Sequence, residues 1–87
     1  MNESNSFEQA VAYAKRVKDK YETELLAKKN VVAVGIGFKN KTTDTVAIVV
    51  NVTHKVPLNQ LEIKDQIPNM LAGVPVDVVA VGTIRAF

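Results

Sequence analysis

The sequence predicts a small α+β fold, in which one N-terminal helix packs on a three-stranded, mainly antiparallel sheet of spatial order 2-1-3. Residues 6–29 carry an apolar repeat with spacings of three and four, which is typical of an amphipathic helix. Three later stretches, residues 31–38, 45–53 and 76–84, are rich in valine and isoleucine, as strands are. A chain of 87 residues suits a single domain over residues 1–87.

The predicted helix follows a polar N-terminus, residues 1–5, which we expect to be flexible. Ser6 and Gln9 have the spacing of a capping box at its start. At the other end, Asn30 tolerates the left-handed conformation that stops a helix. The apolar stripe that would face the sheet consists of Phe7, Ala10, Val11, Ala14, Val17, Tyr21 and Leu25.

The first predicted strand, residues 31–38, has no polar side chain on either face. A strand that is apolar on both faces is typical of the middle of a sheet, so we expect this strand to be central. Its two glycines, Gly35 and Gly37, lack the third glycine of a dinucleotide-binding loop, because Asn40 stands at that position. We therefore interpret Gly35 and Gly37 as close-packing residues that let a helix or another backbone approach.

The turn formers of residues 39–44 predict a hairpin, so the second strand should run antiparallel to the first. The second strand is half polar on one face, which places it nearer an edge. Residues 54–74 predict an irregular crossover, long enough for the third strand to run parallel to the second and to pair antiparallel with the first. One helix covers one face of this sheet, and the branched aliphatic residues expected on the other face predict a homo-oligomer.

Composition and charge exclude several classes of function. The chain has 11 basic and 9 acidic residues, a net charge of +2, which is too even for a nucleic-acid interface. No apolar run approaches the roughly 20 residues of a membrane helix, and the N-terminus does not resemble a signal peptide, so we expect a cytoplasmic protein. With no cysteine and one histidine, the sequence predicts no disulfide, no metal site and no cofactor.

Catalytic residues are not evident. The serines are Ser4 and Ser6 at the N-terminus, and Thr53 beside His54, which could pair with Asp77, has no family signature. The carboxylates are scattered and form no acid/base couple. We therefore expect a protein that is not an enzyme.

One constellation of residues predicts binding. In the 2-1-3 arrangement, His54 and Lys55 at the end of the second strand and Arg85 at the end of the third fall at the same sheet edge as Asn30. These three basic residues have no acid close by in the sequence. Such a cluster can hold a phosphate or carboxylate, arginine especially through bidentate contacts. We take His54, Lys55 and Arg85 as candidate ligand-binding residues.

Two separated motifs carry a family resemblance, Asn30 to Lys39 and Ile67 to Val79, joined by Lys55 to Leu58 and Val81 to Arg85. From about residue 25 to its end, the chain resembles the small domain found N-terminal to bacterial trypsin-like peptidases and in relatives of the plant narrow-leaf protein. The resemblance implies an accessory module, here standing alone without the peptidase. No catalytic residue of that family has a counterpart in this sequence, so no proteolytic activity is implied.

Two functional hypotheses follow. The first is a non-catalytic, homo-oligomeric binding module that holds or sequesters a small anionic, nucleotide-like ligand. The alternative is a protein–protein interaction or assembly domain related to the accessory domain of the peptidases. The expected partners are therefore a second copy of the chain, a small anion or another protein, and neither a membrane nor a nucleic acid.

Overall fold

The computed structural model describes the backbone of residues 3–39 and 45–82, and side chains from residue 6 onward within those ranges. The fold is α+β, with one helix and a mixed four-stranded sheet, and residues 53–69 between β2 and β3 contain two short 3₁₀ turns. The elements in chain order are helix α1 (Glu3–Leu26) and strands β1 (Val31–Phe38), β2 (Val46–Val52), β3 (Met70–Leu71) and β4 (Val74–Ala80).

Helix α1 buries the middle of the predicted apolar stripe against the sheet. Ala14, Val17 and Leu25 are at most 6% exposed. Near the start of the helix, Phe7 stacks on Phe38 of β1 with the ring centroids 6.1 Å apart. The helix begins at Glu3 and ends at Leu26, three residues earlier at each end than predicted, so Ser6 lies inside the helix and does not cap it. Within the described ranges, no helix has the length and apolarity needed to cross a membrane.

The helix ends in a tight turn that leads directly into β1. The amide of Lys28 donates to the Leu25 carbonyl at 3.1 Å, so the last hydrogen bonds shorten to a 3₁₀ pattern. Asn30 then adopts a φ of 73°, which confirms the predicted left-handed residue. Its carbonyl accepts a 2.9 Å hydrogen bond from the Thr53 amide. The start of β1 therefore lies beside the end of β2.

The sheet is mixed and has four strands in the order β1-β2-β4-β3, so the predicted three-stranded, mainly antiparallel sheet of order 2-1-3 is wrong. β1 pairs antiparallel with β2, as the hairpin predicted, although the hairpin loop itself at residues 40–44 lies outside the described residues. β4 runs parallel to β2, also as predicted, but it pairs with β2 directly, with Val50 opposite Val78. β2 is therefore central, and β1 lies at an edge.

Side-chain volume explains why β2 is the central strand. Its helix-facing residues Ile48, Val50 and Val52 are at most 3% exposed and form the hydrophobic core together with α1 and β4. The second face of β1 consists of Ala33, Gly35 and Gly37, which have little apolar area to bury. An apolar pattern on both faces of β1 therefore does not require that strand to be covered on both faces.

The face of the sheet away from α1 is small and partly polar. The register places Val49 and Val79 on it, together with Asn51 and Asp77. The ammonium group of Lys39 donates to the Val76 carbonyl at 2.9 Å, so this side chain crosses β2 near Ala47, which is fully buried. Within β1, β2 and β4, this face lacks the row of branched aliphatic residues that we expected to drive oligomerisation.

β3 and β4 form a tight hairpin at the far edge of the sheet. Leu71 pairs with Val74, and the two residues between them, Ala72 and Gly73, have φ values of 48° and 84°. Two positive φ values in a two-residue loop are typical of a type I′ turn. Glycine adopts a positive φ readily, which suits Gly73 to this turn, but β3 has only two residues and no pattern that sequence could reveal. The predicted third strand, residues 76–84, is observed as Val74–Ala80, and residues 83–84 lie outside the described ranges.

Candidate functional site

A cavity of about 230 Å³ lies where α1 ends, β1 begins and β2 ends, and we call it the strand-end cavity. Its rim is polar and consists of Lys29, Asn30, His54 and Lys55. The remaining lining is apolar and consists of Val52, Val56, Leu58, Leu61, Ile67 and Val78. The exposed side chains of Lys29, His54 and Lys55 therefore lie beside an apolar lining.

Two hydrogen bonds fix the end of α1 to the crossover, next to Lys29 on the rim of the cavity. The ammonium group of Lys28 donates to the carbonyl of Lys64 at 2.6 Å. The amide of Lys29 donates to Oδ1 of Asp65 at 3.0 Å. Both donors lie within three residues after Leu26, the last residue of α1.

Residues of the crossover also line the cavity, and the Gln66 side chain fixes the conformation of this segment. The Gln66 side-chain amide donates to the carbonyls of Leu58 and Leu61, at 3.2 and 3.3 Å. These two bonds join the two 3₁₀ turns and turn Leu61 and Ile67 toward Val52 and Val78 of the sheet. The apolar side chains of the crossover therefore line a cavity and pack on the domain.

The structure places His54 and Lys55, two of the three predicted ligand-binding residues, on the rim of the strand-end cavity. Both side chains are exposed. Nδ1 of His54 lies 3.1 Å from the Thr53 hydroxyl, which orients the imidazole. Arg85 lies outside the described residues, and the last described residue, Gly82, donates its amide to the Thr53 carbonyl at 3.0 Å.

Two charged residues at this site were not predicted from the sequence. Lys29 lines the rim, and it could have been found because it directly precedes Asn30, the predicted end of the helix. Asp65 brings a carboxylate close to the rim through its bond to the Lys29 amide, although no acid was expected near the basic cluster. Asp65 is ten or more residues from each rim residue, so only the fold of the crossover reveals its position.

The two glycines of β1 differ in their surroundings. A Cβ added at Gly37 would lie 2.8 Å from Cγ2 of Val49 on the neighbouring strand, whereas a Cβ added at Gly35 would meet nothing within 4 Å. The close neighbour of Gly37 is therefore a side chain of its own sheet. The prediction that Gly35 admits a close approach by another backbone stays a prediction.

The strand-end cavity combines cationic side chains with an apolar lining. The ammonium groups of Lys29 and Lys55 and the imidazole of His54 can donate to a phosphate or carboxylate. Within residues 3–39 and 45–82, no group of three or more histidine, cysteine, aspartate or glutamate side chains could hold a metal ion. No protein-family model and no curated protein matches the chain.

Proposed function

We propose that the protein is a non-catalytic, homo-oligomeric binding module whose strand-end cavity takes a small anionic, nucleotide-like ligand. The observation that supports it is the position of Lys29, His54 and Lys55 around the mouth of an apolar pocket. A ring of the ligand would contact the hydrocarbon interior, and its phosphate or carboxylate would stay at the rim. The Thr53 hydroxyl, 3.1 Å from His54 Nδ1, then has a positioning role.

The size of the cavity restricts the ligand. Drug-sized sites span roughly 300–1,000 Å³, and a cavity of about 230 Å³ is smaller. It accommodates a single ring system, such as a nucleobase, and leaves a sugar or a phosphate in contact with solvent. The exposed cations at the rim are screened by salt, so affinity should fall as ionic strength rises.

The test is a calorimetric titration with adenosine monophosphate at low salt, compared with uncharged adenosine. Lys55→Glu and His54→Ala should each weaken binding of the monophosphate by about tenfold or more, corresponding to about 1.4 kcal/mol. Lys15→Glu is the matched control, because it makes the same charge change on an exposed face of α1, away from the cavity. Equal weakening by Lys15→Glu, or equal binding of adenosine and its monophosphate, would contradict an anion site at the rim.

The alternative function, a protein–protein interaction domain of the kind found ahead of trypsin-like peptidases, has support from exposed apolar residues of the crossover. Ile63 and Leu58 of the crossover are 86% and 62% exposed and line one groove, and Leu58 also borders the strand-end cavity. Large apolar side chains exposed together often mark an interface. A discrete protein partner that is retained by Val81→Lys and lost with Ile63→Lys would favour this function.

A further inference from the structure

The outer edge of β1 is available for strand pairing. The Lys39 amide donates to the Thr45 carbonyl at 2.9 Å, which places the odd-numbered residues of β1 in hydrogen-bonded pairs with β2. The backbone N–H and C=O groups of Val34, Ile36 and Phe38 therefore point away from β2. No strand in the described part of the chain pairs with this edge.

This edge has little of the protection that edge strands usually carry. Residues 31–38 contain no charged residue and no proline. Natural edge strands generally use such residues, or bulges, to prevent pairing with another chain. β1 has a register shift between Val31 and Ala33, so Val32 is an extra residue there, but the six residues from Ala33 to Phe38 pair regularly. The regular part of this edge can therefore pair with a strand of another chain.

The exposed apolar groups at the two ends of β1 complement each other under two-fold symmetry. Phe7, stacked on Phe38 at one end, is 47% exposed, and Val32 at the other end is 39% exposed. An antiparallel pair of β1 strands centred on Gly35 brings Val32 of each copy toward Phe38 of the other. The same register sets Ala33 opposite Gly37, so small side chains meet small ones on the face away from α1.

The position of α1 also fits this arrangement. α1 packs over β1 and β2. A helix axis midway between these two strands lies about one strand spacing, roughly 5 Å, from a two-fold axis at the outer edge of β1. A two-fold axis perpendicular to the sheet at that edge places the two helices on the same side, about 10 Å apart. Packed helices lie 8–10 Å apart. The helices would therefore become neighbours without a clash.

We propose that two copies of the chain pair antiparallel through their β1 edges around Gly35, with Val34 of one copy opposite Ile36 of the other. The result is one continuous sheet across the dimer, with both helices on one face. The inference rests on the homo-oligomeric state in the proposed function and names the surface that forms it. It goes further because it assigns a partner to the unpaired backbone groups of β1.

A cysteine cross-link tests the register directly, because the natural chain has no cysteine. In the proposed dimer, the two copies of Gly35 form a non-hydrogen-bonded pair with Cα atoms about 4.5 Å apart, which is within disulfide range. A side chain at Gly35 meets nothing within 4 Å, so Gly35→Cys should fold. The control Ala33→Cys sets its two thiols about 13 Å apart in the same register. Mild oxidation should give a covalent dimer with Gly35→Cys and none with Ala33→Cys.

Two valine variants then test the edge without a cross-link, by sedimentation equilibrium. Val32→Lys places a charge at the pairing edge and should raise the dimer dissociation constant by about tenfold or more. Val81→Lys is the matched control, since Val81 is also exposed, at 44%, and follows β4, which is not adjacent to β1 in the sheet. A wild-type dimer that Val32→Lys does not weaken, or a cross-link with Ala33→Cys but not with Gly35→Cys, would overturn pairing around Gly35.

Failure of the dimer and failure of ligand binding give different results. A wild-type monomer at about 100 μM that still binds adenosine monophosphate through His54 and Lys55 would overturn the β1 dimer and the homo-oligomeric state, but not the ligand site. A Gly35→Cys cross-link without any binding of the monophosphate would support the β1 dimer and overturn the ligand site. Circular dichroism of each variant confirms that the fold is retained.

Discussion

The Tyr13 hydroxyl donates a 2.6 Å hydrogen bond to the carbonyl of Ala72, 59 residues later in the chain. The bond joins α1 to the β3–β4 turn, two elements that are far apart in the sequence. Ala72 is a non-glycine residue with a φ of 48°. A residue in that region costs free energy unless its surroundings hold it there, and the bond to Tyr13 is such a constraint.

Removing the Tyr13 hydroxyl should destabilise the protein modestly. Tyr13→Phe loses one hydrogen bond at a side chain that is 43% exposed, so we expect the free energy of unfolding to fall by about 0.5–1 kcal/mol. Tyr21→Phe is the matched control, because the Tyr21 hydroxyl has no hydrogen bond within the described part of the chain and its ring packs beside the core. Urea unfolding measures both, and equal losses would show that the Tyr13 bond contributes nothing.

The left-handed conformation of Ala72 predicts a glycine substitution that stabilises the protein. Ala72→Gly relieves the positive φ and keeps the carbonyl that Tyr13 contacts, so we expect a gain of up to about 1 kcal/mol. The same change in a helix, Ala10→Gly, should instead cost about 1 kcal/mol. Thermal unfolding of the two variants should move in opposite directions, and a shift in the same direction would argue against strain at Ala72.

Local features were predictable from sequence because neighbouring residues determine them. The apolar stripe of α1 and the left-handed Asn30 follow from spacing and from backbone conformation. The order of the strands was not predictable in this way. The pattern of β1 was interpreted as burial on both faces, whereas the alanine and glycines of its second face have little area to bury. β2 is central although Asn51 is polar, because Asn51 lies on the face away from α1 and only the helix-facing residues of β2 are in the core.

The crowding at Gly37 predicts that the two glycines of β1 respond differently to alanine. Gly37→Ala brings a methyl group within 2.8 Å of Val49 Cγ2 and should cost about 1–3 kcal/mol, because the β-branched valine is stiff. Gly35→Ala, with nothing within 4 Å, should change stability by about 0.5 kcal/mol or less. Denaturant unfolding in a Val49→Ala background should recover part of the Gly37→Ala loss, and full additivity would contradict a direct clash.

The ion pair on α1 predicts a pH-dependent contribution to stability. The Lys18 ammonium group donates to Glu22 at 3.2 Å and lies 3.4 Å from Asp19, and the hydrogen bond to Glu22 raises the pKa of Lys18 above its ordinary value of 10.5. A raised pKa stabilises the folded chain at pH values below 10.5, and the contribution disappears as pH rises through the higher, folded-state pKa.

The measurement compares wild type with Lys18→Met in urea, from about pH 8 to about pH 11. We expect wild type to be the more stable at the lower pH and the difference to shrink at the higher pH. In a Glu22→Gln background the difference should be smaller at every pH, because the main hydrogen-bond partner is gone. A difference that grows with pH would contradict the assigned cause.

Part of the candidate site can be predicted from the sequence for a geometric reason. His54 and Lys55 follow the end of β2, and strand ends that meet at one sheet edge can be inferred once the strands are identified. The hydrocarbon interior of the cavity could not be inferred in the same way. It depends on Leu61 and Ile67, whose positions are set by the hydrogen bonds of Gln66 within an irregular segment.

The parallel pairing of β2 with β4 also bears on how the protein folds. The contacts among α1, β1 and β2 span short connections, while β4 can pair with β2 only after residues 53–73 close a long loop. We therefore expect α1, β1 and β2 to assemble early and β4 to join them late. Val52 and Val78 meet only in that late step. The strand-end cavity is then among the last features to form, and a ligand bound there would slow the release of β4 during unfolding.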